Sequence, residues 1–244
     1  MKRFFIILIL AVVTHSSSSS QFYSGFIANA KIEYERKINI YASLEGDFAE
    51  ELKKRIAQYK TDYFDLEFSG SKSIYKPGKE SPDRASFFSG PSSDNEVFAD
   101  LEVGIYVAKK QVFDKSYLII DSLRKVTWKL TNEIRTVAGF NCRKATAVIM
   151  DSVFIVAFYT DQIMISSGPE SFGGLPGLIL GLVVPRLHTT WYATKVDVQP
   201  INETHLIAPS KGKKTNYAEL LKILQSSLKD WGKYGQRNIW SIMI

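Results

Sequence analysis

The chain has one cysteine, Cys142, so no disulfide can form within it. A lone cysteine in an exported protein is either a buried small apolar residue or a reactive thiol. Burial is the better reading of Cys142, because no acid–base partner flanks it. Histidine is nearly as scarce. His15, His188 and His205 with one cysteine make too thin a ligand set for zinc, and no H-E-x-x-H, C-x-x-C or G-x-S-x-G pattern occurs. No metal or cofactor is expected. With 15 glycines and 8 prolines in 244 residues, the chain is not collagen-like or a Gly/Pro-rich disordered one. The apolar run at residues 4–13 falls short of the ~20 residues a membrane-spanning helix needs. Charge of one sign is lacking too. Part of the formal +6 sits on Lys2 and Arg3, and Lys53, Lys54 and Arg55 interleave with Glu50 and Glu51. A nucleic-acid surface gathers its cations on one face among stacking aromatics, so no nucleic-acid partner is expected.

What is present begins with the N-terminus. Lys2 and Arg3, the apolar run and the serines at 16–20 have the order of a secretory signal peptide. Residues 1–20 are therefore read as a leader, and residues 21–244 as a single exported domain with no transmembrane span. No cysteine follows the apolar run, which closes the route of lipid anchoring at a new N-terminus. The expected location is the periplasm, or the outer-membrane or extracellular face. At 45% hydrophobic and 13% aromatic, the remainder can build a sizeable core.

Its periodicity is mostly two. Ile32, Tyr34, Arg36, Ile38 and Ile40 alternate with Lys31, Glu33, Glu35, Lys37 and Asn39, which predicts a half-buried antiparallel strand. Phe64, Leu66 and Phe68 alternate with Asp65 and Glu67. Further strands are expected at 103–108, 117–120, 126–130, 143–150, 153–159 and 189–198, with a hairpin turn at Asp151-Ser152. The Gly/Pro/Ser-rich segment 69–95 reads as turns and a loop. Two stretches change period. Asp47 with Glu50 forms a capping box before Phe48, Leu52, Ile56 and Tyr59. Asn216 with Glu219 precedes Tyr217, Leu220, Leu221, Leu224, Leu228 and Trp231. The expected fold is mainly β: a single curved antiparallel sheet, or half-open barrel, with two amphipathic helices.

One segment carries more. Gly174-Leu175-Pro176-Gly177-Leu178-Ile179 is the hexapeptide that gives the GLPGLI family its name, and the chain resembles that family. Upstream, Gly139, Cys142, Lys144 and Ala145 match a G-x-x-C-x-K-A element, Phe158-Tyr159-Thr160 an aromatic-Tyr-Thr element, and Gly168-Pro169 a Gly-Pro element. The likeness runs over residues 134–196. It implies a secreted envelope protein of Gram-negative bacteria and assigns no reaction. The hexapeptide itself predicts a tight, rigid corner. Leu178 and the apolar residues after it have the composition of a segment buried on both faces or of a short helix plugging a barrel; they either close the core or form the rim of a ligand pocket or a docking edge.

Three functions stay open. One is a non-catalytic binding protein holding a small apolar ligand in the curved sheet, in a groove lined by Phe64, Leu66, Val126 and Trp128. Another is a partner of an outer-membrane transport or assembly system, offering an apolar patch at residues 239–244. A third is a hydrolase using Cys142 with His188. Asp65 with Glu67 is a solvated strand face more readily than a catalytic pair, and Asp62, Tyr63, Tyr75 and Trp128 can stack on a sugar or simply fill the core.

Overall fold

The computed structural model describes residues 26–81 and 92–244; the leader expected at 1–20 lies outside them. Strands β1 (Asn29–Asn39), β2 (Tyr59–Ser69), β3 (Lys72–Pro77), β4 (Glu96–Asp100), β5 (Ile105–Val112) and β6 (Lys115–Ser122) follow one another as an antiparallel meander. Then come β7 (Lys129–Val137), β8 (Phe140–Ile149), β9 (Val153–Thr160), β10 (Leu178–Val184) and β11 (Thr189–Asp197), a second meander whose last strand pairs with β1. With the short β12 (Lys213–Thr215) the order in the one mixed sheet is β12-β6-β5-β4-β3-β2-β1-β11-β10-β9-β8-β7. The expectation of a mainly β, curved sheet holds. The pairing is antiparallel except between β12 and β6, which run parallel. The chain reaches β12 by crossing the sheet's outer face, and that crossing reverses its direction relative to β6.

Curvature follows from connectivity. β6 and β7 are consecutive in the chain yet lie ten spacings apart in the sheet, on the order of 48 Å along it at ~4.8 Å each. The link between them, residues 123–128, reaches at most about 25 Å from Ser122 to Lys129. So short a chord on so long an arc bends the sheet through more than half a circle. Residues 123–128 then form a strap across the open side. Val126 and Trp128, expected in a strand, belong to this strap, and β7 starts only at Lys129.

The concave side holds the main core: Ile32, Tyr34, Phe64, Leu66, Phe68, Tyr75, Ile155, Leu180 and Leu182, with Leu220, Leu224 and Leu228 of helix α2 (Tyr217–Ser227) and Ile239, Ile242, Met243 and Ile244 of or next to helix α3 (Gly232–Met243). The Asn216 side chain accepts the Glu219 N–H at 2.9 Å, as the capping pattern predicts. Trp231, expected on the buried face, is exposed, because the helical run breaks at Leu228 and restarts at Gly232. A second, smaller core lies on the outer face, where Ile74, Phe98, Val107 and Leu118 are covered by Leu206, Ile201 and Ala208. Strands β3 to β6 are therefore buried on both faces.

Three expectations need correction. Residues 69–95 are not all loop, since β3 lies within them. The helix expected from Asp47 is the five-residue α1 (Ala49–Lys53), with Phe48 80% and Tyr59 47% exposed. Tyr59 is already the first residue of β2, paired with Asn39, so the segment caps a hairpin and covers no core. The apolar residues at 239–244 offer no exposed patch: Ile239, Ile242, Met243 and Ile244 are buried in the concave core.

Candidate functional site

Residues 166–174 run across the inside of the sheet between β9 and β10. Ser167 Oγ lies 3.0 Å from Ser73 Oγ on β3, the Ile179 N–H donates to Ser167 O at 2.9 Å, and Ser166 Oγ accepts the Gly174 N–H at 2.8 Å. A Cβ on Gly173 would stand 2.5 Å from Ser166 O, so this fold-back admits only glycine. Gly177 is held harder still. Its φ is +137°, and a Cβ there would meet Thr160 O at 2.0 Å. The hexapeptide at 174–179 is thus the corner that turns this loop into β10. Leu175, Leu178 and Ile179 are buried, and Tyr34 donates its hydroxyl to Ile179 O at 2.7 Å. Of the six residues only Gly174 reaches a cavity wall, beside the Trp128 ring.

A family model matches this stretch. It spans residues 148–181, from β8 through the hexapeptide into β10, and its family is described as "Protein of unknown function (Porph_ging)". No curated protein matches the chain. Among solved structures, PNGF-II in a C2 crystal form is similar with a TM-score of 0.52 and 16% identity, over 87% of this chain and 32% of that one. PNGF-II in a P21 form gives 0.53 and 15%, over 80% and 33%. The chain spans about a third of the length of PNGF-II, and identity this low shows a shared fold alone.

Two cavities flank the strap. The larger, about 560 Å³, lies between β3, β4 and β5, the strap and the 166–174 loop. Tyr75, Val97, Ala99, Leu101, Tyr106 and Phe172 make its wall mainly apolar, and exposed Ser122, Lys125 and Gly174 open its rim to solvent. The second, about 500 Å³, lies on the strap's other side against Val148, Ile149, Met150 and Tyr217. Both share Arg124 and Val126.

Arg124 fixes the strap. Its Nη2 donates to Met243 O in α3. Its guanidinium lies over the Phe172 ring at 4.9 Å and the Tyr217 ring at 5.4 Å from the centroids. Trp128 Nε1 donates to Gly173 O at 2.9 Å, tying the strap's other end to the loop. Arg124 Nη1, buried and without a hydrogen-bond partner, is left over.

Behind the cavity sits a buried polar cluster. Glu170, at a strained φ of +56°, accepts the Asn95 side-chain N–H on Oε2 at 2.7 Å and lies 3.8 Å from Lys110 Nζ. Lys110 also donates to Ile242 O at 2.9 Å, and burial lowers its pKa to about 8 despite Glu170. Ser92 Oγ donates to Ser241 O at 2.9 Å. Ser92, Lys110 and Arg124 thus bind three successive carbonyls that the end of α3 leaves without intrahelical partners, with two cations facing its negative pole. Deeper, Arg36 makes two hydrogen bonds to Asp62 Oδ2 (3.1 and 2.6 Å), one to Ser92 O (2.7 Å), and stacks 5.1 Å from the Phe64 ring. Burial also lowers the pKa of Lys60, whose Nζ is 3.5 Å from Asp62 Oδ1.

The other sequence candidates are dispersed. Cys142 is wholly buried in the core, its thiol pushed up to about 12 by burial, and it donates to Phe140 O at 3.6 Å. His188 is exposed, in a left-handed conformation after a 3₁₀ turn, its pKa lowered by burial and by Arg237. The two share no hydrogen bond. Asp65 and Glu67 face Lys31 (2.7 Å) and Lys76 (3.3 Å) as a charged outer face. Asp62 and Tyr63 point to opposite sides of β2, and Tyr75 is buried, so no sugar-stacking surface forms. Of the expected groove residues, Phe64 and Leu66 are fully covered by the protein's own core, and Val126 alone lines the cavity. Among the described residues no three His, Cys, Asp or Glu side chains are placed to share a metal ion, and no helix is long and apolar enough to cross a membrane.

Sequence reasoning missed Arg124, Lys110, Asn95 and Glu170. Arg36 was legible as a charged residue on the apolar side of an alternating strand. The others carry no periodic signal, because their burial depends on the strap and on α3 folding back over the sheet.

Proposed function

We propose that this chain is an exported, GLPGLI-type envelope protein that acts by binding a small apolar or amphipathic molecule rather than by catalysis. The observation that carries the proposal is the cavity of about 560 Å³ under the strap, apolar-walled, with its rim open to solvent. Its size and composition are those of a small-molecule site, which runs to roughly 300–1,000 Å³ with few polar groups. The hexapeptide serves this site from outside it, by fixing the turn that lays residues 166–174 along the wall. Export rests on the basic and apolar pattern of the leader. With Ile239, Ile242, Met243 and Ile244 buried, the reading as a docking partner loses most of the apolar patch that supported it. Ala99 lies on the cavity wall and is only partly buried, so Ala99→Phe adds bulk into the space. Nile red fluorescence should rise with the native protein, be displaced saturably by decanol, and stay low with folded Ala99→Phe. A native protein that leaves Nile red dark, or a variant that binds it equally well, overturns the proposal.

A further inference from the structure

Resting on that reading of the cavity, the geometry points to a ligand of definite kind: we infer that the site under the strap takes a single-chain amphiphile with a carboxylate head, held by Arg124. The cations around the cavity are not equivalent. Lys110 has Glu170 at 3.8 Å and Asn95 bonds the same carboxylate oxygen, so that acid and base answer one another inside the protein. Among the described residues, Arg124 has no carboxylate within ion-pair distance. Its contacts are a backbone carbonyl and two aromatic faces. Those contacts orient the guanidinium without neutralising it, and Arg124 forms part of the cavity wall. A carboxylate is the planar acceptor that a guanidinium fork fits best. Exposed Lys125, next along the strap, adds positive charge at the mouth and favours approach of an anion.

The rest of the cavity suits a chain. Leu101, Ala99 and Val97, in that order, line the cavity progressively farther from the strap, whose Leu123 N–H donates at 3.0 Å to Gly104 O in the turn that begins at Leu101. At about 30 Å³ per water-sized group, 560 Å³ has room for on the order of 18 such groups, enough for the chain of decanoate. Glu170 disfavours a second anion nearby, which places the head at the strap and the tail inward.

The experiment is calorimetric titration of the full exported chain with decanoate, decanol and decylammonium, which share a tail and differ in head. Decanoate should bind at least tenfold more tightly than decanol, and decylammonium more weakly than either. Arg124→Gln should remove the advantage of decanoate, lowering its affinity at least tenfold more than that of decanol. Arg124→Lys, which keeps the charge and can still reach Met243 O, should retain part of that advantage; circular dichroism establishes that both variants fold. If decanol binds as tightly as decanoate, or if Arg124→Gln lowers both alike, the carboxylate assignment is wrong while the cavity reading stands. If the folded wild type binds none of the three, both readings fall together.

Discussion

Replacing Lys110 by methionine should remove a rise in stability with pH between about 8 and 10.5. The ammonium is buried, with Glu170 3.8 Å away and Ile242 O accepting from it, and its pKa is lowered to about 8 from the ordinary 10.5. Below pH 8 the folded and unfolded chains both carry this proton, and the cost of burying the charge applies in full. Between 8 and 10.5 the unfolded chain holds more of the proton than the folded one. Stability contributed by this group therefore rises with pH across that window. From pH 7 to pH 9.5 the gain is about 2 kcal/mol. Other groups act the opposite way. Burial raises Tyr106 and the Cys142 thiol each to about 12, and pushes Tyr34 and Tyr75 up as well, so their unfolded forms release protons first and stability falls at higher pH. These contributions are common to both proteins and cancel in the difference. Urea unfolding of wild type and Lys110→Met at pH 7, 8, 9 and 9.5 gives that difference directly. It should grow in favour of the wild type by about 2 kcal/mol over the series. Parallel curves would refute the claim that a charged lysine is buried behind the cavity.

Gly177→Ala should cost about 3 kcal/mol, roughly 10 °C in Tm, because its Cβ meets Thr160 O at 2.0 Å on a backbone at φ +137°; a melt within about 2 °C of wild type would contradict the rigid-corner account. Cys142 should resist a thiol reagent at pH 8 in the native protein and react fully in guanidinium, since burial keeps it as the neutral thiol. Reaction at equal rates in both states would show an accessible thiol.

Much of the sheet was legible because its strands obey period two: Ile32, Tyr34 and Arg36 do lie on the buried side of β1, and Leu178 to Val184 do form a strand buried on both faces. The misses have physical causes. β3 hides in a segment of turn residues, where Ile74 and Tyr75 are buried from opposite sides. The apolar spacing at Phe48, Leu52 and Tyr59 mimics a helix but has no surface to cover. The sticky residues at 239–244 looked like a docking patch because nothing local shows that Ser92, Lys110 and Arg124 bind the carbonyls of Ser241, Ile242 and Met243. The hexapeptide was visible, and its role as a corner followed from its glycines and proline. The cavity it supports was not, because the strap closes it from a distant part of the chain.

The most direct test of the account is a methyl-resolved NMR titration of the full chain with decanoate. Shifts should concentrate on Val97, Leu101, Leu123 and Val126, which line the space under the strap, while core methyls of Leu182 and Leu224 stay in place. Shifts confined to outward-facing Leu130, Ile134 and Ile207 would mean that the amphiphile adheres to the surface and that the curled sheet encloses no binding site.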